Sequence, residues 1–138
     1  LTVAETSIKV RYAETDQMGV VYHANYLVWF ELGRTALNEE LNLDYVEVEN
    51  EGVVAPVLDL NISYKKPVRY GQHAVVRTWI SDYSRLRLTY SYEIFNGNGE
   101  LAVTGQSVHT FVKKDTFRPL SLKRNFKEWH EVYERAKE

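Results

Sequence analysis

Two acids, a glycine, a histidine and an asparagine crowd into "ETDQMGVVYHANY", residues 14–26. Asp16 is a carboxylate that could act as general base or nucleophile. An apolar helical pattern begins at Tyr26, and the start of a helix carries unpaired backbone N–H groups and partial positive charge. Such an end can hold an anion or stabilise a developing oxyanion. Gly19, between the two, lets the backbone turn tightly or approach a ligand. Each residue also has a plainer role. Asp16 could close an Asx-turn. Asn25 reads first as an N-cap, and Glu14 as a solvated loop acid. His23 is either a surface loop residue or a group that orients substrate, and Tyr22 and Tyr26 are core or pocket wall.

Other chemistries find little support. The chain has no cysteine, which excludes disulfides, thiolate zinc sites and a thiol nucleophile. His73, His109 and His130 share no metal-ligand spacing with one another or with His23, so no metal site is expected. No glycine-rich phosphate loop occurs. "YKKPVRYG", residues 64–71, gathers Lys65, Lys66 and Arg69, either as a solvated strand end or as a greeting for phosphates.

The elements that position these residues follow from periodicity. Ile8, Val10 and Tyr12 alternate with Lys9 and Arg11 as a first strand. Tyr26, Trp29, Phe30, Gly33, Leu37 and Leu41 fall on one helical face. Gly33 there costs about 1 kcal/mol against alanine, a cost that close approach of a sheet would explain. A short helical turn is expected over residues 45–50, stopped by Gly52. Four long alternating runs follow: 58–65, 75–80, 86–94 and 101–111. They are expected to be joined by tight turns, "DYSR" at 82–85 and "NGNG" at 96–99 among them. Leu122, Phe126, Trp129, Val132, Tyr133 and Ala136 make an amphipathic C-terminal helix. The fold class is α+β, one antiparallel sheet wrapped around one helix. With 138 residues and no repeat or linker, one domain over 1–138 is expected.

"YAETDQMGVVYHANYLVWFE", residues 12–31, resembles the signature of the 4-hydroxybenzoyl-CoA thioesterase branch of the hotdog-fold superfamily, and within it the YbgC-like acyl-CoA thioesterases. The resemblance runs from about residue 8 to about residue 113, through "YKKPVRYGQ" and "LTYSYEIFNGNGELAVTGQSVHTFV". It implies a hotdog fold, a five-stranded antiparallel sheet around a central helix, and hydrolysis of acyl-CoA thioesters. Asp16 carries over as the essential carboxylate. A backbone N–H near His23, at His23 itself or at Tyr22, would face the thioester carbonyl, with Gly19, Asn25 and Tyr26 around it. Lys65, Ser84, Arg85 and Arg87 become candidates for the phosphates of coenzyme A. The family has no cofactor beyond the CoA of its substrate. Its members are dimers or dimers of dimers with sites between subunits.

Two other readings stand beside this one. A hotdog hydratase or dehydratase would pair a histidine such as His23 with an acid, and an acyl-CoA-binding module would keep affinity without chemistry. The net charge of −2 gives no pull toward nucleic acid. No apolar run is long enough to span a bilayer and no signal peptide is evident. The expected location is cytoplasmic.

Overall fold

The computed structural model describes residues 1–137, apart from the side chain of Tyr45; Glu138, the end of the expected domain, lies outside them. The elements run β1 (Val3–Lys9), a one-turn 3₁₀ helix (Tyr12–Glu14), α1 (Asn25–Glu40), α2 (Tyr45–Asn50), β2 (Val53–Val54) and β3 (Val57–Tyr64). Then come β4 (His73–Ser84), β5 (Arg87–Phe95), β6 (Leu101–Thr110), β7 (Val112–Lys113), α3 (Leu122–Asn125) and α4 (Lys127–Ala136). Five strands form one antiparallel sheet in the order β1-β4-β5-β6-β3, and β2 pairs with β7 apart from it.

The sheet packs around α1 because both present apolar faces at their own periods. On the helix these are Tyr26, Trp29, Phe30, Gly33 and Leu37, all buried. On the strands they are Ala74, Val76, Thr78 and Ile80, and Leu88, Tyr90, Tyr92 and Ile94. A register shift after Ile80 brings Tyr83 to the same buried face. Phe30 stacks on Tyr92, ring centroids 4.0 Å apart. A Cβ on Gly33 would collide with the Thr78 hydroxyl and press on Val76, so this glycine lets helix and sheet approach closely.

Several expectations change. β1 starts at Val3, and Tyr12 belongs to the 3₁₀ turn, so the first strand lies earlier than its alternation suggests. β3 and β4 are not joined by a tight turn: residues 65–72 carry the chain from one side of the sheet to the other, where β4 pairs with β1. The β4–β5 hairpin turns at residues 85–86, with Arg85 at φ +47, because Ser84 still pairs with Arg87. The C-terminal helix breaks at Phe126, whose φ of −143° is not helical.

β3 has β6 on one side only. All its residues except Ile62 are exposed, Val57, Leu58, Leu60 and Tyr64 among them. A long, apolar, unprotected edge is unusual in a soluble chain that works alone.

Candidate active site

The loop before α1 is held by its own polar groups. Asp16 N–H donates to the Val20 carbonyl at 2.9 Å, and Gly19 N–H to the Asp16 carbonyl at 3.0 Å. Gly19 sits at φ +77, where a side chain would be strained. Met18 N–H donates to Asp16 Oδ1 at 2.8 Å, so the Asx-turn is real. It engages one carboxylate oxygen; among the described residues the other has no hydrogen-bond partner. The loop is stitched to the crossover that follows β3: Val21 N–H donates to the Val68 carbonyl at 2.8 Å, and Val20 bridges to Arg69.

Glu14 is buried, which overturns its reading as a solvated acid. Trp29 Nε1–H donates to its Oε2 at 2.7 Å, and Arg11 N–H to its Oε1 at 2.9 Å. Burial pushes its pKa up, but the bonds from Trp29 and Arg11 and the Arg11 charge outweigh that, and the net displacement is downward. Asn25 is not the N-cap. Ala24 holds that position, and the Asn25 amide instead donates Nδ2–H to the Glu14 carbonyl at 2.8 Å. The same carbonyl accepts Tyr22 N–H at 2.9 Å. Glu14 thus fixes the loop to the helix through side chain and backbone together.

Asp16, His23 and Tyr26 line one open cleft of about 330 Å³ with Met18, Tyr64 and Lys65. Tyr64 donates its hydroxyl to the His23 carbonyl at 3.1 Å. His23 N–H meets no acceptor among the described residues, whereas Tyr22 N–H is already committed. The His23 imidazole is exposed and leans on Tyr22, ring centroids 4.4 Å apart. It makes no ion pair with Asp16 or any other described acid, so the His–acid pairing of a hydratase is not formed. Burial raises the Tyr26 hydroxyl to about 12; a backbone hydrogen bond at Val68 pulls the other way, and the nearby Tyr64 and Asp16 add to the rise.

The structure therefore brings Asp16, His23, Tyr26 and Lys65 together. Gly19 shapes the loop behind them, and Tyr22 and Asn25 serve the Glu14 anchor. Ser84, Arg85 and Arg87 lie at the opposite end of β5 from Lys65, whose N–H is bonded to the Ala102 carbonyl near Phe95. Nine residues of β5 separate the ends, about 27 Å at the usual strand rise. Tyr64 escaped sequence reading as a site residue, because it looks like the end of an alternating strand; the only clue was its place directly before the basic run.

A family model for the thioesterase-like superfamily matches residues 10–130. The chain belongs to this family. YneP of Bacillus subtilis, assigned as an acyl-CoA thioesterase, is 53% identical over 135 residues, 98% of each chain. The acyl-CoA thioesterase YbgC of Helicobacter pylori is 30% identical over 128 residues, 87% of this chain and 94% of the relative. The solved structure of a DHNA-CoA thioesterase from Staphylococcus aureus superposes with a TM-score of 0.93 at 48% identity, covering 96% of this chain and 89% of that one. Family membership and these relatives make the chain a thioester hydrolase with the hotdog architecture, and they do not favour the hydratase and binding-module readings. Among the described residues no helix is long and apolar enough to cross a membrane.

Proposed function

We propose that this chain hydrolyses acyl-CoA in the Asp16–His23 cleft, as a single thioesterase domain over residues 1–138. The observation that carries the proposal is the uncommitted His23 N–H at the start of α1, lining the same cleft as the Asp16 carboxylate. The thioester carbonyl oxygen accepts from that N–H, and the positive end of α1 stabilises the charge that develops on it. Asp16 attacks the carbonyl carbon or takes a proton from the attacking water. The thiolate leaves without needing a strong acid, which matches a site whose tyrosine stays protonated. No cofactor is needed beyond the CoA of the substrate.

The working unit is a dimer built on β3, and two such dimers could associate into a tetramer. Two free β3 edges paired around a two-fold axis continue the sheet and cover Val57, Leu58, Leu60 and Tyr64. Antiparallel pairing sets the Tyr64 end of one chain beside the Val57 end of the other. The far hairpin of the partner thereby comes to the side of the sheet that holds Lys65. CoA phosphates would then meet Lys65 of one chain and Ser84, Arg85 and Arg87 of its partner. A cytoplasmic location is part of this proposal.

The test is thiol release from short, long and aromatic acyl-CoAs, with 1,4-dihydroxy-2-naphthoyl-CoA included because of the Staphylococcus aureus neighbour. Free thiol from at least one of them, abolished by Asp16→Asn, is expected. No thiol from any substrate would sink the proposal.

A further inference from the structure

A second cavity lies between the C-terminal half of α1 and the Val57 end of the sheet. Its volume is about 240 Å³, and Glu31, Arg34, Asn38, Val57, Tyr90 and His109 help to line it. It leads onto a buried string of polar groups that the hydrolytic chemistry does not use. Arg34 Nη1–H donates to the Tyr92 hydroxyl at 3.0 Å. Tyr92 and Ser107 hydroxyls are 2.6 Å apart, Ser107 Oγ lies 2.8 Å from His109 Nε2, and His109 Nδ1 lies 3.2 Å from the Ala55 carbonyl.

The direction of every proton in the string is fixed by its last member. A carbonyl only accepts, so His109 Nδ1 carries the hydrogen. Burial, partly opposed by the Ala55 bond and reinforced by the Arg34 charge, lowers this imidazole to about 4, so it is neutral at pH 7. Nε2 must then accept from Ser107, Ser107 from Tyr92, and Tyr92 from Arg34. The whole string holds one guanidinium at the cavity. Arg34 has no ion-pair partner among the described residues, and among them only the Tyr92 hydroxyl accepts from its guanidinium. A donor-only group, held rigidly and left without a carboxylate, suits an oxygen of a ligand.

The chain's own cleft cannot supply that ligand. Arg34 lies eleven positions beyond His23 on α1, about 16 Å along the axis, farther than a one- or two-ring acyl group extends. The partner's cleft can: pairing of β3 edges brings the partner's Tyr64 end alongside Val57, and Val57 lines this cavity. The cavity is also small beside the roughly 300–1,000 Å³ usual for ligand pockets, which favours a compact ring over a long flexible chain.

We infer that Arg34, held by the Tyr92–Ser107–His109 string, reads a ring hydroxyl or phenolate on the aromatic acyl group of a thioester bound at Asp16 of the second chain. This rests on the thioesterase reading and on the β3 dimer. It makes the enzyme selective for oxygenated aroyl-CoA, and it makes each site a composite of two chains.

The experiment compares kcat/KM for 1,4-dihydroxy-2-naphthoyl-CoA and 2-naphthoyl-CoA, which differ only in the two hydroxyls. The wild-type protein is expected to prefer the dihydroxy substrate. Arg34→Met should cut the preference by about tenfold or more, the factor that loss of one charge-assisted hydrogen bond implies. Tyr92→Phe keeps the ring that stacks on Phe30 and frees Arg34, so it should cut the preference less; it serves as the second variant should Arg34→Met not fold. Mixed dimers of Asp16→Asn and Arg34→Met chains provide the positional check. In each mixed dimer one site joins an intact Asp16 to an intact Arg34, so dihydroxynaphthoyl-CoA turnover should rise above that of either parent. An unchanged preference in both variants, a wild-type protein without preference, or mixed dimers no better than their parents would each overturn the inference while leaving thioester hydrolysis standing. A protein that releases thiol from no acyl-CoA would bring down both.

Discussion

Trp29 Nε1–H donates to Glu14 Oε2 at 2.7 Å in a buried contact that ties the Asp16 loop to the central helix. The carboxylate's pKa is lowered in the fold, so at mildly acidic pH the folded chain binds fewer protons at Glu14 than the unfolded one. Its contribution is complete above the unfolded value near 4.5 and fades as pH falls through the lower folded value. Glu14→Gln should therefore flatten the acid limb of the stability curve below about pH 4.5. At pH 7 it should cost about 1–3 kcal/mol, the usual loss for a charged hydrogen-bond acceptor. Urea melts from pH 3 to 7 would measure both. An acid limb identical to wild type would remove Glu14 from this role.

Asp16→Asn should reduce thioester hydrolysis at least about a hundredfold, the lower range of general-base contributions. The amide keeps an oxygen for Met18 N–H, so the loop and the melting temperature should stay close to wild type. Near-normal turnover would take Asp16 out of the mechanism.

His23 separates backbone from side chain. His23→Ala keeps the N–H and should retain turnover within a few-fold. His23→Pro removes the N–H and should lose it by about a hundredfold or more, as for a deleted oxyanion donor. Tyr22 is the poorer donor candidate, since its N–H is already given to the Glu14 carbonyl. If the alanine variant were the inactive one, the imidazole would be the working group.

Charging the free edge should dissociate the enzyme. With Leu58→Lys and Leu60→Lys together, light scattering should report a monomer, and thiol release should fall at least about tenfold if each site draws on both chains, as proposed. A fully active monomer at low concentration would refute the composite site.

Periodicity in the sequence reports which face of an element is buried, and that was enough for α1, for the β5–β6 turn and for an antiparallel sheet around a helix. It does not report neighbours. Nothing in residues 57–64 says that they pair with β6 rather than with β4, so alternation alone predicts a tight connection where the chain makes a crossover. The anchoring of Glu14 depends on an indole fifteen positions away, and polar type alone suggested solvent. Asp16 and His23 were visible as site candidates because their chemistry is local to one loop and one helix start. Arg34 was not, because its partners Tyr92, Ser107 and His109 look like ordinary strand residues until the sheet stacks them.

The bond from Val21 N–H to the Val68 carbonyl has a kinetic meaning as well as a geometric one. It joins the Asp16 loop to a segment far along the chain, after β3 at the opposite edge of the sheet. Loop closure over such a span is entropically costly and follows local pairing rather than leading it. The β4–β5–β6 meander can assemble from neighbours alone, whereas the cleft exists only once the first and third strands have found their separate edges. A nascent chain that has not yet placed β3 would therefore lack the Asp16–His23 cleft, and with it the thioester reactivity proposed for that cleft.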